Sequence, residues 1–151
     1  MKARSSAANA TSFVPLTIRN AFSLLASDTR QDDTAGIRIA NVLDDPACSY
    51  YITEIAPGRS VNPHYHRQGD EIYIILGGVG TIRTWHPEAP AQVDSQPIGS
   101  GALFRIPPGM AHQLENTGTD PLILLFACSP DHLGSDRFVV PSAPAREEAP
   151  A

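Results

Sequence analysis

Hydrophobic positions along this chain fall in short runs with a period of two, separated by turn residues, rather than in long stripes with a period of 3.6. Residues 36–43 alternate in part, through Ile37, Ile39 and Val42, and residues 49–56 are rich in Tyr, Ile and Thr. Residues 71–76 are almost wholly β-forming, and residues 81–85, 102–106, 122–128 and 137–140 complete a set of expected strands. Gly, Pro, Asn or Asp separates most of them, as at Pro57-Gly58, Asn62-Pro63, Gly77-Gly78 and Pro107-Pro108-Gly109. Helical signal is confined to residues 21–26, enough for one turn or a short helix. Seven or more short strands with turns at this spacing indicate an all-β sandwich or barrel, and alternation alone does not separate an immunoglobulin-like sandwich from a barrel.

Both ends depart from this pattern. Residues 1–12 are rich in Ala, Ser and Asn, and residues 141–151 are mostly Pro, Ala and Glu. Neither stretch carries enough apolar surface to order itself, so both are expected to be mobile, disordered tails around one folded unit at residues 13–140. With 151 residues the chain is long enough for one substantial core.

Charge narrows the function classes. The net charge is −5 and no run of Lys or Arg forms a basic stripe, so neither nucleic acid nor an anionic membrane is an expected partner. No stretch is helical enough for a helix-turn-helix reader. No apolar run approaches the roughly 20 residues of a membrane helix, and the N-terminus has no apolar segment after Lys2 and Arg4, so a cytoplasmic location is expected. Cys48 and Cys128 lack partners at metal-ligand spacing and read as buried, reduced thiols. Gly77-Gly78-Val79-Gly80 is followed by a strand pattern and lacks the Lys-Ser or Lys-Thr of a phosphate loop; it reads as a hairpin turn.

The candidate chemistry lies in the histidines. His64 and His66 are two apart, so in an extended segment both imidazoles leave one face. Glu71 opens the strongest β segment, and a bend near Gly69 could return it beside them. His112 follows the stiff Pro107-Pro108-Gly109 turn, and closure of a barrel could bring it to the same place. Three neutral imidazoles and one carboxylate suit Fe(II), Mn(II), Co(II), Ni(II) or Zn(II), and four protein ligands on an octahedral ion leave two positions open. If Glu71 points inward, so do Tyr73 and Ile75, and Tyr73 is then either a core residue or a catalytic donor beside the ion. His86, before Pro87, reads as a surface residue, whereas His132 lies in a loop that could fold over the barrel mouth. Arg83 and Arg105 read as solvated charges, and Ile75, Phe104, Leu124 and Phe126 as core.

These residues carry a resemblance. Gly58, five residues, His64-x-His66, four residues, Glu71, six residues and Gly78 reproduce the first motif of the cupin superfamily, G-x5-H-x-H-x(3,4)-E-x6-G. Gly101, five residues, Pro107-x-Gly109, two residues, His112, three residues and Asn116 reproduce its second, G-x5-P-x-G-x2-H-x3-N. The chain thus resembles a small single-domain cupin across residues 58–116. The resemblance implies a jelly-roll β-barrel of two antiparallel sheets. It also implies one divalent metal ion per chain on His64, His66, Glu71 and His112, and a homodimer. The expected function is a metal-dependent enzyme acting on a small polar metabolite. Its chemistry is either Fe(II) dioxygenase-type oxidation or Lewis-acid isomerase, lyase or decarboxylase chemistry. A non-catalytic cupin that binds a sugar or another small molecule is the alternative.

Overall fold

The computed structural model describes residues 13–144, so the tail expected at residues 1–12 and most of the one expected at 141–151 lie outside the described residues. The strands are β1 (Arg30–Asp32), β2 (Ile37–Leu43), β3 (Ser49–Ile55), β4 (His64–Tyr65), β5 (Glu71–Gly77), β6 (Val79–Trp85), β7 (Asp94–Gly99), β8 (Leu103–Ile106), β9 (Ala111–Asn116), β10 (Leu122–Cys128) and β11 (Phe138–Val139). They form two antiparallel sheets, β1-β2-β3-β10-β5-β8 and β11-β4-β9-β6-β7. This is a jelly-roll barrel, the all-β architecture expected from the alternation.

Period two explains what fills it. Alternate residues of β5 (Glu71, Tyr73, Ile75) and β10 (Leu122, Leu124, Phe126, Cys128) are buried in the interior with Ile39, Tyr51, Ile55, Ile82 and Leu114. The intervening residues Ile123 and Leu125 pack instead with Ala40, Val42 and Ile52 on the outer face of the six-stranded sheet. That face is covered by the short helix α1 (Ala21–Ser27) through Ala21, Leu24 and Leu25. Asn20 caps the helix, its side chain accepting from the Ser23 amide at 3.0 Å.

Two turns set the site. Gly78 has φ +82° between β5 and β6, and a Cβ there would lie 2.4 Å from the Pro121 carbonyl oxygen, so only glycine fits. Gly109 has φ +80° and donates its N–H to the His66 carbonyl at 2.7 Å, tying the approach to His112 onto the His64–His66 segment. Asn116 is fully buried: its Nδ2 donates to the Ile55 and Asp120 carbonyls, both at 2.8 Å, and its Oδ1 accepts from the Gly118 amide at 2.9 Å. It closes the β9–β10 turn with its side chain.

The structure has strands where the alternation indicated none, namely β1, β4, β7 and β9. At the C-terminus, Ala143 is buried against Trp85 and Ala111. The Ala143 and Pro144 carbonyls accept from Arg83 Nη2 at 3.3 and 2.6 Å, so Arg83 holds this segment on the sheet instead of projecting into solvent. Among the described residues, no helix is long and apolar enough to cross a membrane.

Candidate metal centre

The two sheets each contribute to one cluster. His64 in β4 and His112 in β9 are direct cross-strand partners, so their side chains leave the same face, with ring centroids 4.5 Å apart. His66, two residues on, emerges on that face as well. Glu71 opens β5 in the opposite sheet, paired with Ile106 of β8, and faces the three rings across the interior. One ligand atom from each of His64, His66, Glu71 and His112 lies within 4.8 Å of all the others, and all four residues are buried.

Hydrogen bonding fixes which ring atoms face inward. His64 Nδ1 lies 2.7 Å from the Asn62 carbonyl oxygen, His66 Nδ1 2.6 Å from that of Asp136, and His112 Nδ1 3.0 Å from that of Met110. A carbonyl only accepts, so each Nδ1 carries a hydrogen, and a ring in its neutral form turns a bare Nε2 lone pair into the cluster. Glu71 Oε2 stands 3.2 Å from Nε2 of both His66 and His112. Bare lone pairs against a carboxylate repel unless a proton or a cation lies between them. His112 Nε2 is buried and has no hydrogen-bond partner. The donor set therefore fits a divalent cation: three imidazole nitrogens and a carboxylate oxygen, oriented by a second layer of backbone carbonyls.

The electrostatics agree. Burial opposes ionisation of Glu71, but with a proton between it and the His112 and His66 rings, the hydrogen bonds and charge of those rings outweigh burial and hold the carboxyl well below the usual carboxylate range. Burial, followed by the neighbouring His112, pushes His64 down to about 3, so it is a neutral donor at physiological pH. The sign of the linkage follows. Between about pH 6.5 and 3 the unfolded chain binds a proton at His64 that the folded chain does not, so acidification favours unfolding. We expect the melting temperature of metal-stripped protein to fall steadily as pH drops below about 6.5. The matching loss of folding free energy approaches ~1.4 kcal/mol per pH unit for this one group. Thermal melts of the wild type and of His64→Gln check it; an equal decline in both would contradict the assignment to His64.

A narrow cavity adjoins the cluster, lined by His64, Glu71, Tyr73, Thr53, Asp32 and Arg137 among others. Tyr73 is buried on the Glu71 face of β5, its ring centroid 6.2 Å from that of His112. Burial, then the Glu71 charge, pushes its phenol well above the usual value, so it keeps its proton at neutral pH. His86 is exposed, and Arg105 makes only an exposed 3.5 Å contact with Asp70.

Residues 129–137 fold over this end of the barrel. His132, 1% exposed, stacks on His66 with centroids 3.9 Å apart and planes 5° apart. The Asp136 carbonyl orients His66, while its carboxylate accepts from the Arg67 and Gln68 amides at 2.8 and 2.9 Å. Arg137 is joined to Asp32 by two hydrogen bonds of 2.8 and 2.9 Å. Asp32, Asp136 and Arg137 did not stand out in the sequence. Their partners lie 105 or about 70 positions away, a separation no local pattern carries.

A family model described as a cupin domain matches residues 51–128. Glucose-6-phosphate isomerase of Pyrococcus abyssi is 37% identical over 75 residues, covering 48% of this chain and 38% of that enzyme. The chain spans less than half the length of the curated relatives it matches. Among solved structures, a Cupin 2 conserved barrel domain protein from Salinispora arenicola superposes with a TM-score of 0.62 at 20% identity. That match covers 81% of this chain and 95% of that one. A Thermotoga maritima protein described as a predicted oxalate decarboxylase gives a TM-score of 0.52 at 25% identity, over 69% of this chain and 81% of that one.

Proposed function

The chain belongs to the cupin family, and from that premise we propose that it is a metal-dependent enzyme performing Lewis-acid chemistry, of isomerase or decarboxylase type, on a small oxygen-rich metabolite. The observation that carries this reading is the convergence of three backbone-anchored imidazoles and one buried carboxylate on a single point beside an internal cavity. The isomerase and decarboxylase descriptions among its relatives support it over oxidation.

A divalent ion held by His64, His66, Glu71 and His112 would polarise a carbonyl or carboxylate oxygen and stabilise negative charge developing there. The backbone carbonyls of Asn62, Asp136 and Met110 keep the three rings in the tautomer that presents Nε2. Glu71 supplies the only negative charge among the four. Tyr73, protonated and facing the same cavity, donates a hydrogen bond or a proton to an oxygen of the bound molecule. Ile39, Val61, Leu124 and Phe126 give the cavity an apolar wall.

The test is a turnover screen of metal-reconstituted protein against oxalate and related carboxylates, keto acids, aldoses and sugar phosphates, with metal-stripped protein as the control. Metal-dependent product formation supports the reading. Saturable binding of one of these compounds without turnover would replace it with the non-catalytic alternative. On an identified substrate, Tyr73→Phe is expected to lower kcat by roughly 100-fold with KM and metal content nearly unchanged. A kcat within twofold of wild type would leave Tyr73 a core residue.

A further inference from the structure

We propose that Cys128, His132 and Glu71 form a second, softer cation position, which shares Glu71 with the four-residue centre. Cys128 ends β10, and its side chain enters the barrel on the face that holds Phe126 and Leu124. β10 pairs with β5 through Ala127 and Ile72, so one step further along the register sets Cys128 beside Glu71. His132 arrives from the short 3-10 helix Pro130–Leu133 that follows. Cys128 Sγ, a Glu71 oxygen and a His132 ring nitrogen lie within 4.8 Å of one another, all buried.

An independent observation points to a ligand there. His132 Nε2 lies 2.6 Å from the Gln68 carbonyl oxygen, to which it must donate, so Nδ1 is a bare acceptor. That Nδ1 is buried without a hydrogen-bond partner, in a residue only 1% exposed. Cys128, equally buried, makes no hydrogen bond to it. A buried acceptor left unpaired is costly unless something fills the gap. His132 Nε2 also lies 3.8 Å from Asp136 Oδ2, and Arg137, paired with Asp32, donates from Nε to the His132 carbonyl at 3.0 Å.

The chemistry of the set differs from that of the first centre. A thiolate and an imidazole select borderline or soft ions such as Zn(II), Co(II) or Cd(II) over Mn(II) or Mg(II). On binding, the ion replaces the thiol hydrogen, which leaves as a proton; no electron is transferred. Glu71 has two oxygens, so one carboxylate can serve both positions. The second position does not require the first to be filled.

The test titrates Co(II) into metal-stripped protein. It reads stoichiometry by equilibrium dialysis and the thiolate-to-cobalt charge-transfer band in the near ultraviolet. The expected result is two equivalents per chain with the band present. Cys128→Ser should lose the band and one equivalent, Cys128→Ala should do the same should serine disturb packing, and Cys48→Ser should lose neither. In a His64→Ala, His112→Ala variant the band should persist at one equivalent, which separates failure of the four-residue centre from failure of this one. One equivalent without the band in the wild type would overturn the proposal, as would a second equivalent that survives removal of the Cys128 thiol.

Discussion

Glu71→Gln should weaken divalent-ion affinity by at least a thousandfold while leaving the metal-free fold intact. The carboxylate is the only anion among the four residues, and it stands 3.2 Å from two of the imidazoles. Unit charges 4 Å apart interact by about 4 kcal/mol at an effective dielectric of 20, which is a factor of about a thousand in affinity; a divalent ion in contact gains more. Glutamine keeps the shape, and its amide can donate to the bare Nε2 atoms, so the metal-free variant should melt within a few degrees of wild type. Isothermal titration with Zn(II), alongside thermal melts, checks both halves. An affinity loss below tenfold would show that Glu71 does not touch the ion.

Asp32→Ala should destabilise the protein by about 3–5 kcal/mol. The Asp32–Arg137 pair is doubly hydrogen-bonded, with side chains only 7% and 6% exposed, and it joins the β1 edge of one sheet to the segment leading into β11 of the other. Removing the aspartate leaves a buried guanidinium without its counter-charge, which accounts for most of the cost. The effect should reach the site, because Asp136, whose carbonyl orients His66, is the neighbour of Arg137. Burial raises the Asp32 pKa, but the hydrogen bonds and charge of Arg137 more than reverse this and lower it overall. The pair therefore stabilises the fold above the usual aspartate pKa of about 3.9, and that contribution is lost as pH falls through the lowered value. Urea melts of Asp32→Ala, Arg137→Met and the double variant form the check. The double variant should be more stable than Asp32→Ala, and strict additivity of the two losses would contradict the pairing.

Much of this architecture was legible in the chain. Strands β5 and β10 stand out because every second residue is apolar or site-bearing, and β3 because it is rich in Tyr, Ile and Thr. The four strands that did not stand out each have a physical reason. β7 contains Pro97, tolerated because it is an edge strand whose missing N–H costs no ladder bond. β1 is three polar or charged residues, and β4 is two residues long. β9 (AHQLEN) is mostly polar because its side chains do specific work: His112 faces the cluster, Gln113 reaches the Val61 carbonyl, and Asn116 closes a turn.

The candidate centre was legible for a similar reason. His64-x-His66 reports its shared face through period two, and Pro107 to Gly109 marks the turn before His112. The supporting layer was not. Asp136 touches His66 at a separation of 70 positions, and Arg137 meets Asp32 at 105, so only the closed barrel reveals either contact. His132 was recognisable as a mouth-loop residue, but its stacking on His66 depends on the path of residues 129–137.

Elemental analysis tests the metal centre most directly. It compares wild-type protein with a His64→Ala, His112→Ala variant, both expressed without a His-tag and purified without added metal. The account predicts that the wild type carries one equivalent of a first-row divalent metal per chain more than the variant does. Equal metal content in the two proteins, persisting after reconstitution with Fe(II), Mn(II), Co(II), Ni(II) and Zn(II), would contradict it.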